Sequence, residues 1–204
     1  MPKCYNSSPV ISLAALGSSS QNRASLRPPF QTSTWFSGKN EVNILPLYAA
    51  PQYAEQVIDW IWHAFGDGLP REFFQSIVEH SQTPGALPLT FIAVEGEQLL
   101  GTVGFWRCDL ITRQDLYPWL AALYVDETAR GKGLAGQLQQ HVIACAARIG
   151  YTELHLWSAC RDFYERYGWQ YIGDGLEYPD KTVHLYRYSL CASAGRSEER
   201  RVGK

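Results

Sequence analysis

Apolar positions in the middle of the chain switch between two spacings, and the switches mark the elements. Val42 to Tyr48 is a short apolar run that reads as a strand. From Pro51 to Phe65 the residues Tyr53, Val57, Ile58, Ile61, Trp62 and Phe65 recur at the spacing of one helix face. Gly66 and Gly68 end that helix. Pro70 stands where a first-turn proline would open a second, with Phe73, Phe74, Ile77 and Val78 along one side and a stop before Pro84. The period then changes: Leu87 to Val94 and Gln98 to Trp106 are apolar, β-prone runs around the turn Glu95-Gly96-Glu97, which predicts an antiparallel hairpin. Polar Cys108 to Pro118 reads as a loop into the strand Trp119 to Val125. Beyond Lys132 a long helix follows, with Leu134, Leu138, Val142, Cys145 and Ile149 on its buried face and Gly150 at its end. A strand from Glu153 to Trp157, a short helix from Asp162 to Tyr167, and strands at Trp169 to Gly173 and Thr182 to Leu190 complete the series. The order β, α, α, three strands, α, β, α, β, β predicts one mixed α/β domain over residues 42–190, and no internal repeat is visible.

The flanks read differently. Residues 1–41 are rich in Ser, Asn and Pro with no acidic residue before Glu41, a composition too poor in apolar area to offset ordering, so they are expected to be disordered. An upstream extension and an organelle transit peptide both fit that composition. Residues 191–204 are expected to be a structureless tail, and its last nine, Arg196 to Lys204, resemble the translation of a sequencing-adapter oligonucleotide. Neither flank is given a function. Between them lie ten basic and seventeen acidic side chains, a charge of −7, which repels nucleic-acid phosphate and argues against a DNA or RNA partner. No run approaches the roughly 18 apolar residues of a membrane span. Five scattered cysteines without a Cys-x-x-Cys pair suggest buried thiols in a reducing compartment, so a cytoplasmic protein without a metal is expected.

The chemistry gathers in Arg130-Gly131-Lys132-Gly133-Leu134-Ala135, between a strand and an amphipathic helix. A helix N-terminus offers unpaired amides and a partial positive charge to phosphate, glycines let the ligand approach, and Arg130 and Lys132 add full charges. Three readings fit the loop alone: a phosphate clamp, a glycine-rich turn without a ligand, and a dinucleotide fingerprint, since Gly131-x-Gly133-x-x-Gly136 matches that pattern with Glu153 downstream. An antiparallel hairpin ahead of it and a short remainder after it weigh against the dinucleotide site.

The loop resembles the Arg/Gln-x-x-Gly-x-Gly/Ala motif of the Gcn5-related N-acetyltransferase (GNAT) superfamily. Phe163-Tyr164-Glu165-Arg166-Tyr167-Gly168-Trp169 looks like that family's Phe-Tyr-x-x-x-Gly-Phe signature. Pro118 to Val125 is similar to its bulged fourth strand. The resemblance implies an N-acetyltransferase with acetyl-CoA as co-substrate, bound in a wedge between the strands at 119–125 and 153–157. It also implies main-chain contacts to the acetyl-pantetheine around Leu123, Tyr124 and Val125, and to the pyrophosphate from Gly131 to Ala135. A primary amine of a small molecule or peptide would attack directly in a ternary complex. Tyr164 matches the tyrosine that protonates the leaving thiolate, a role suited to a phenol protonated at neutral pH. The family's glutamate on the fourth strand is missing, so the base is sought elsewhere. His155 on the next strand has a suitable reference pKa, and Asp109 and Asp115 in the preceding loop are rivals. A module that binds acyl-CoA without chemistry is the competing class. Of the tryptophans, most are expected in the core and one or two on the acceptor pocket.

Overall fold

The computed structural model describes residues 33–35, 41–66 and 68–190. Eight strands form one mixed sheet in the order β1-β2-β3-β4-β5-β6-β8-β7. They are β1 (Ser33–Trp35), β2 (Val42–Pro46), β3 (Leu89–Glu95), β4 (Gln98–Trp106), β5 (Trp119–Val125), β6 (Glu153–Ser158), β7 (Gln170–Glu177) and β8 (Lys181–Ser189). The helices are α1 (Ala54–Phe65), α2 (Arg71–Glu79) and α3 (Leu134–Ile149), with a 3-10 turn at Tyr164–Tyr167. The expected mixed α/β architecture is present, and the strand expected over 119–125 is β5. The sheet starts earlier than the boundary at Val42: Ser33–Trp35 pairs antiparallel with β2, so part of the segment expected to lack structure joins the fold. The remaining expectations for the two flanks lie outside the described residues.

Both faces of the central strands are covered, which is why β3 and β4 read as nearly unbroken apolar runs. Phe91 of β3, Val103 and Phe105 of β4 and Leu120 of β5 meet Leu134, Leu138, Val142 and Cys145 of α3. On the opposite face Ile92, Val94 and Leu99 meet Val57, Ile58 and Ile61 of α1 and Phe74 and Val78 of α2. Each large side chain so buried contributes about 1.5–3 kcal/mol, and these two layers fix the sheet between its helices. Ile149 departs from expectation: it is 40% exposed, on the last residue of α3. β7 also runs on to Glu177, past the Gly173 at which the apolar signal fades; Gly175 lies against Leu110 and Leu185 there.

All strand pairs are antiparallel except β5 with β6, joined through α3 as a parallel neighbour requires. That exception positions the site.

Candidate active site

β5 and β6 pair at one register only, Trp119 with His155, where the His155 amide donates to the Pro118 carbonyl at 2.9 Å. Beyond this point no further pair joins them, and the strands open towards their C-terminal ends as a wedge. The other edge of β5 explains the divergence. Thr102 faces Tyr124 and Gly104 faces Ala121, so Ala122 and Leu123 stand together opposite Val103, a bulge of two residues against one. Ala122 takes a left-handed φ of 45° to make it, at a cost of about 1–2 kcal/mol for a residue with a Cβ. Leu123 and Val125 then lean on the α3 side, while Ala122 turns towards α1. Tyr124 meets Trp60 of α1 at 5.1 Å.

α3 begins at the open end of the wedge. Asp126 orders the approach by accepting from the Thr128 amide at 3.0 Å. Gly131 and Gly133 both have φ of 79°, with nothing within 4 Å of where a Cβ would stand, so the loop is open and adopts a backbone that other residues rarely take. No side chain caps α3. Gly136 and Gln137 donate back to the Gly133 carbonyl, whereas the amides of Leu134 and Ala135 have no partner among the described residues. The two cations of the loop are used differently. Lys132 is exposed, but Arg130 is bound back by Nε to the Val125 carbonyl at 3.0 Å and by Nη1 to Glu127 at 3.2 Å, over the Tyr124 ring. It secures the end of β5 more than it offers charge to a ligand.

The second motif is fastened to the first. Gly136 leaves room for Tyr167, whose Cε1 would lie 2.7 Å from an added Cβ. Gly168 takes φ of 90° to end the 3-10 turn. Trp169, where the family pattern has phenylalanine, uses its indole N–H to donate to Gln139 of α3 at 2.9 Å in a buried setting. Tyr186 of β8 donates to Glu165 at 3.1 Å. These ties hold Tyr164 against the rings of Phe163, Trp169 and Tyr186. Burial first, then the charge of Asp109, pushes its phenol well above the usual tyrosine range. Among the described residues no hydrogen bond engages that hydroxyl.

His155 is not in Tyr164's surroundings. It lies at the closed end of the wedge, 3% exposed, beside Trp119 and with Nε2 3.6 Å from Glu153. Burial lowers its pKa, so the ring is neutral at pH 7, and its Nδ1 is buried without a partner. Asp115 is held by Arg113 through a two-pronged contact, which drives its carboxyl down to about 2 and commits it to that pair. Asp109 differs from both. The Trp157 indole donates to its carbonyl at 3.2 Å, and burial with the nearby charge of Glu177 pushes its carboxyl up to about 7. Glu177 escapes sequence reading because it ends a strand whose apolar pattern is weak. Of the tryptophans, Trp119 is fully buried and Trp62 donates to the Leu69 carbonyl. Trp60 and Trp106 remain half-buried over β4 and β5, and the Trp106 Nε1 is buried without a partner. No group of three or more His, Cys, Asp or Glu suited to a metal occurs among the described residues, and no helix there is long and apolar enough to cross a membrane.

The family model for the acetyltransferase (GNAT) domain matches residues 88–171, from the start of β3 into β7. No curated protein matches the chain. Among solved structures, an acetyltransferase of the GNAT family from Staphylococcus aureus Mu50 is similar at TM-score 0.55 and 20% identity, over 73% of this chain and 99% of its own. An aminoglycoside 6'-acetyltransferase of type Ii is similar at TM-score 0.55 and 21% identity, over 72% of this chain and 96% of its own. An aminoglycoside 6'-N-acetyltransferase complexed with coenzyme A follows at TM-score 0.54 and 17% identity, over 69% and 92%. At such identities the likeness is one of fold.

Proposed function

We propose that the protein transfers acetyl from acetyl-CoA to the primary amine of a small molecule or peptide, in a ternary complex, a reading supported by the acetyltransferase (GNAT) domain model that matches residues 88–171. The observation that carries this reading is the conjunction of a one-register β5–β6 wedge with an uncapped α3 N-terminus at its mouth. An extended acyl-pantetheine needs unpaired strand edge, a pyrophosphate needs unpaired amides, and the two lie in line.

In this reading the amides from Gly131 to Ala135 and the Lys132 ammonium bind the pyrophosphate, and the main chain of Leu123, Tyr124 and Val125 receives the pantetheine. Arg130 fixes the end of that strand. The amine nitrogen attacks the thioester carbonyl, a C–N bond forms and the C–S bond breaks. The sulfur then takes the Tyr164 proton, and the phenolate recovers one from the former amine nitrogen. A raised phenol pKa favours this part, because the group stays protonated until a strongly basic thiolate appears beside it. His155 is given no proton transfer; its neutral ring and its burial under Trp119 fit a part in fixing the apex. The dinucleotide alternative has little support, since β5 is flanked by antiparallel β4 and a single parallel bridge.

Two measurements test the proposal. Calorimetry with acetyl-CoA should show binding. Thiol release should then appear with one or more members of a panel of aminoglycosides, polyamines, amino acids and peptides with free N-termini. Binding without release across the panel would point to the non-catalytic module, and absence of binding would remove the wedge reading altogether.

A further inference from the structure

β5 carries no carboxylate, yet an ammonium acceptor must shed a proton before it can attack. Resting on the function proposed above, we propose that Asp109, in the loop between β4 and β5, is the catalytic base: it anchors the incoming ammonium and takes its first proton.

The loop is built to hold this residue in place. Leu110 is buried with Trp119, Val183 and Leu185, and the Thr112 hydroxyl donates to the Leu176 carbonyl of β7. The Trp157 indole of β6 holds the Asp109 main chain at 3.2 Å. Charged and titratable groups face it from each neighbouring element. These are Glu177 at the end of β7, Lys181 of β8 3.5 Å from Glu177, the Tyr164 phenol on the 3-10 turn, and the Cys108 thiol next to it in the chain. Lys181 pairs with Glu177 only at 3.5 Å, and the Glu177 charge still reaches Asp109. Trp157 lies on β6 past the last β5–β6 pair, so its bond to Asp109 puts this residue beside the opened part of the wedge, and the Asp109 charge helps raise the Tyr164 phenol. The Trp106 indole, three residues earlier on the end of β4, is folded over Gly104 with its Nε1 buried and unpartnered. The Asp109 carboxyl, lifted to about 7 by burial and by Glu177, binds a proton at neutral pH without holding it too tightly to release.

The proton count closes. The ammonium gives one proton to Asp109, the neutral amine attacks, and the nitrogen's second proton replaces the one that Tyr164 gave to sulfur. Asp109 then passes its own to water.

The test uses the full chain, the best acceptor of the amine panel and acetyl-CoA. Wild type should show kcat/KM rising through a limb near pH 7. Asp109→Asn should lose that limb and about 10²–10⁴ of the rate at pH 7.5, with acetyl-CoA affinity by calorimetry held within about twofold, and should recover most of the loss above the amine's own pKa. Glu177→Gln should keep the limb but move it to lower pH, since the charge that raises Asp109 is gone; a merely structural role would not shift a pKa. An unmoved limb in both variants, or a limb abolished by His155→Gln and retained in Asp109→Asn, would overturn the assignment. Failure of every amine on the panel would instead overturn the transfer reading beneath it, and calorimetry separates that case.

Discussion

A base of this kind should weaken the fold that holds it, and the effect can be measured without any substrate. Asp109 has its carboxyl raised from 3.8 to about 7 by burial and by Glu177. Such a group penalises the folded state only where it is ionised: stability is full below the unfolded pKa, falls as pH climbs between the two values, and is flat above the folded one. Three pK units at 1.36 kcal/mol each give a penalty of roughly 4 kcal/mol above pH 7, shrinking to about 1.5 kcal/mol at pH 5. Asparagine has the same shape and no charge. Asp109→Asn should therefore raise the melting temperature by up to about 8–16 °C at pH 8, less in proportion to the water that reaches the side chain, and by under half as much at pH 5. Scanning calorimetry or chemical unfolding of both proteins at the two pH values reads it directly. A melting-temperature difference that is negative, or equal at both pH values, would show that Asp109 is not held out of water, and the argument for its raised affinity for protons would fall.

Tyr164→Phe should lower kcat by about 10²–10⁴ while acetyl-CoA binding holds, because the ring packing is kept and only the proton is lost; stopped thiol release with a viable calorimetric isotherm is the expected pair. Gly133→Val should destabilise by about 1–2 kcal/mol through its φ of 79° and weaken acetyl-CoA at least tenfold, as the added side chain enters the space over the unpaired amides. Trp169→Phe, which restores the family's phenylalanine, should cost about 1–3 kcal/mol by leaving Gln139 without the indole N–H, visible in urea unfolding. Lys132→Ala should reduce acetyl-CoA affinity by a factor that shrinks as salt rises, since an exposed charge acts through screened attraction.

Local signals carried much of this protein into view from its residues alone. The periods of α1 and α3, the hairpin turn at Gly96 with φ of 59°, and the glycines before Leu134 are written in contiguous sequence, because helix faces, tight turns and helix starts depend on neighbours a few residues away. The glycine loop ahead of α3 and the segment around Tyr164 are contiguous in sequence for the same reason. Long-range pairing decided the rest. Whether β5 meets β6 at one register or six, which way the Ala122 bulge throws its neighbours, and that Arg130 turns back onto Val125 all depend on strands far apart in the chain. So does the choice of base: His155, Asp109 and Asp115 are equally plain carboxyls and rings in sequence. Only packing gives one a cover of tryptophan, one an arginine, and one a half-dry place beside Glu177 and Tyr164, for desolvation and Coulomb energy are properties of a surrounding that the chain makes only once it has folded.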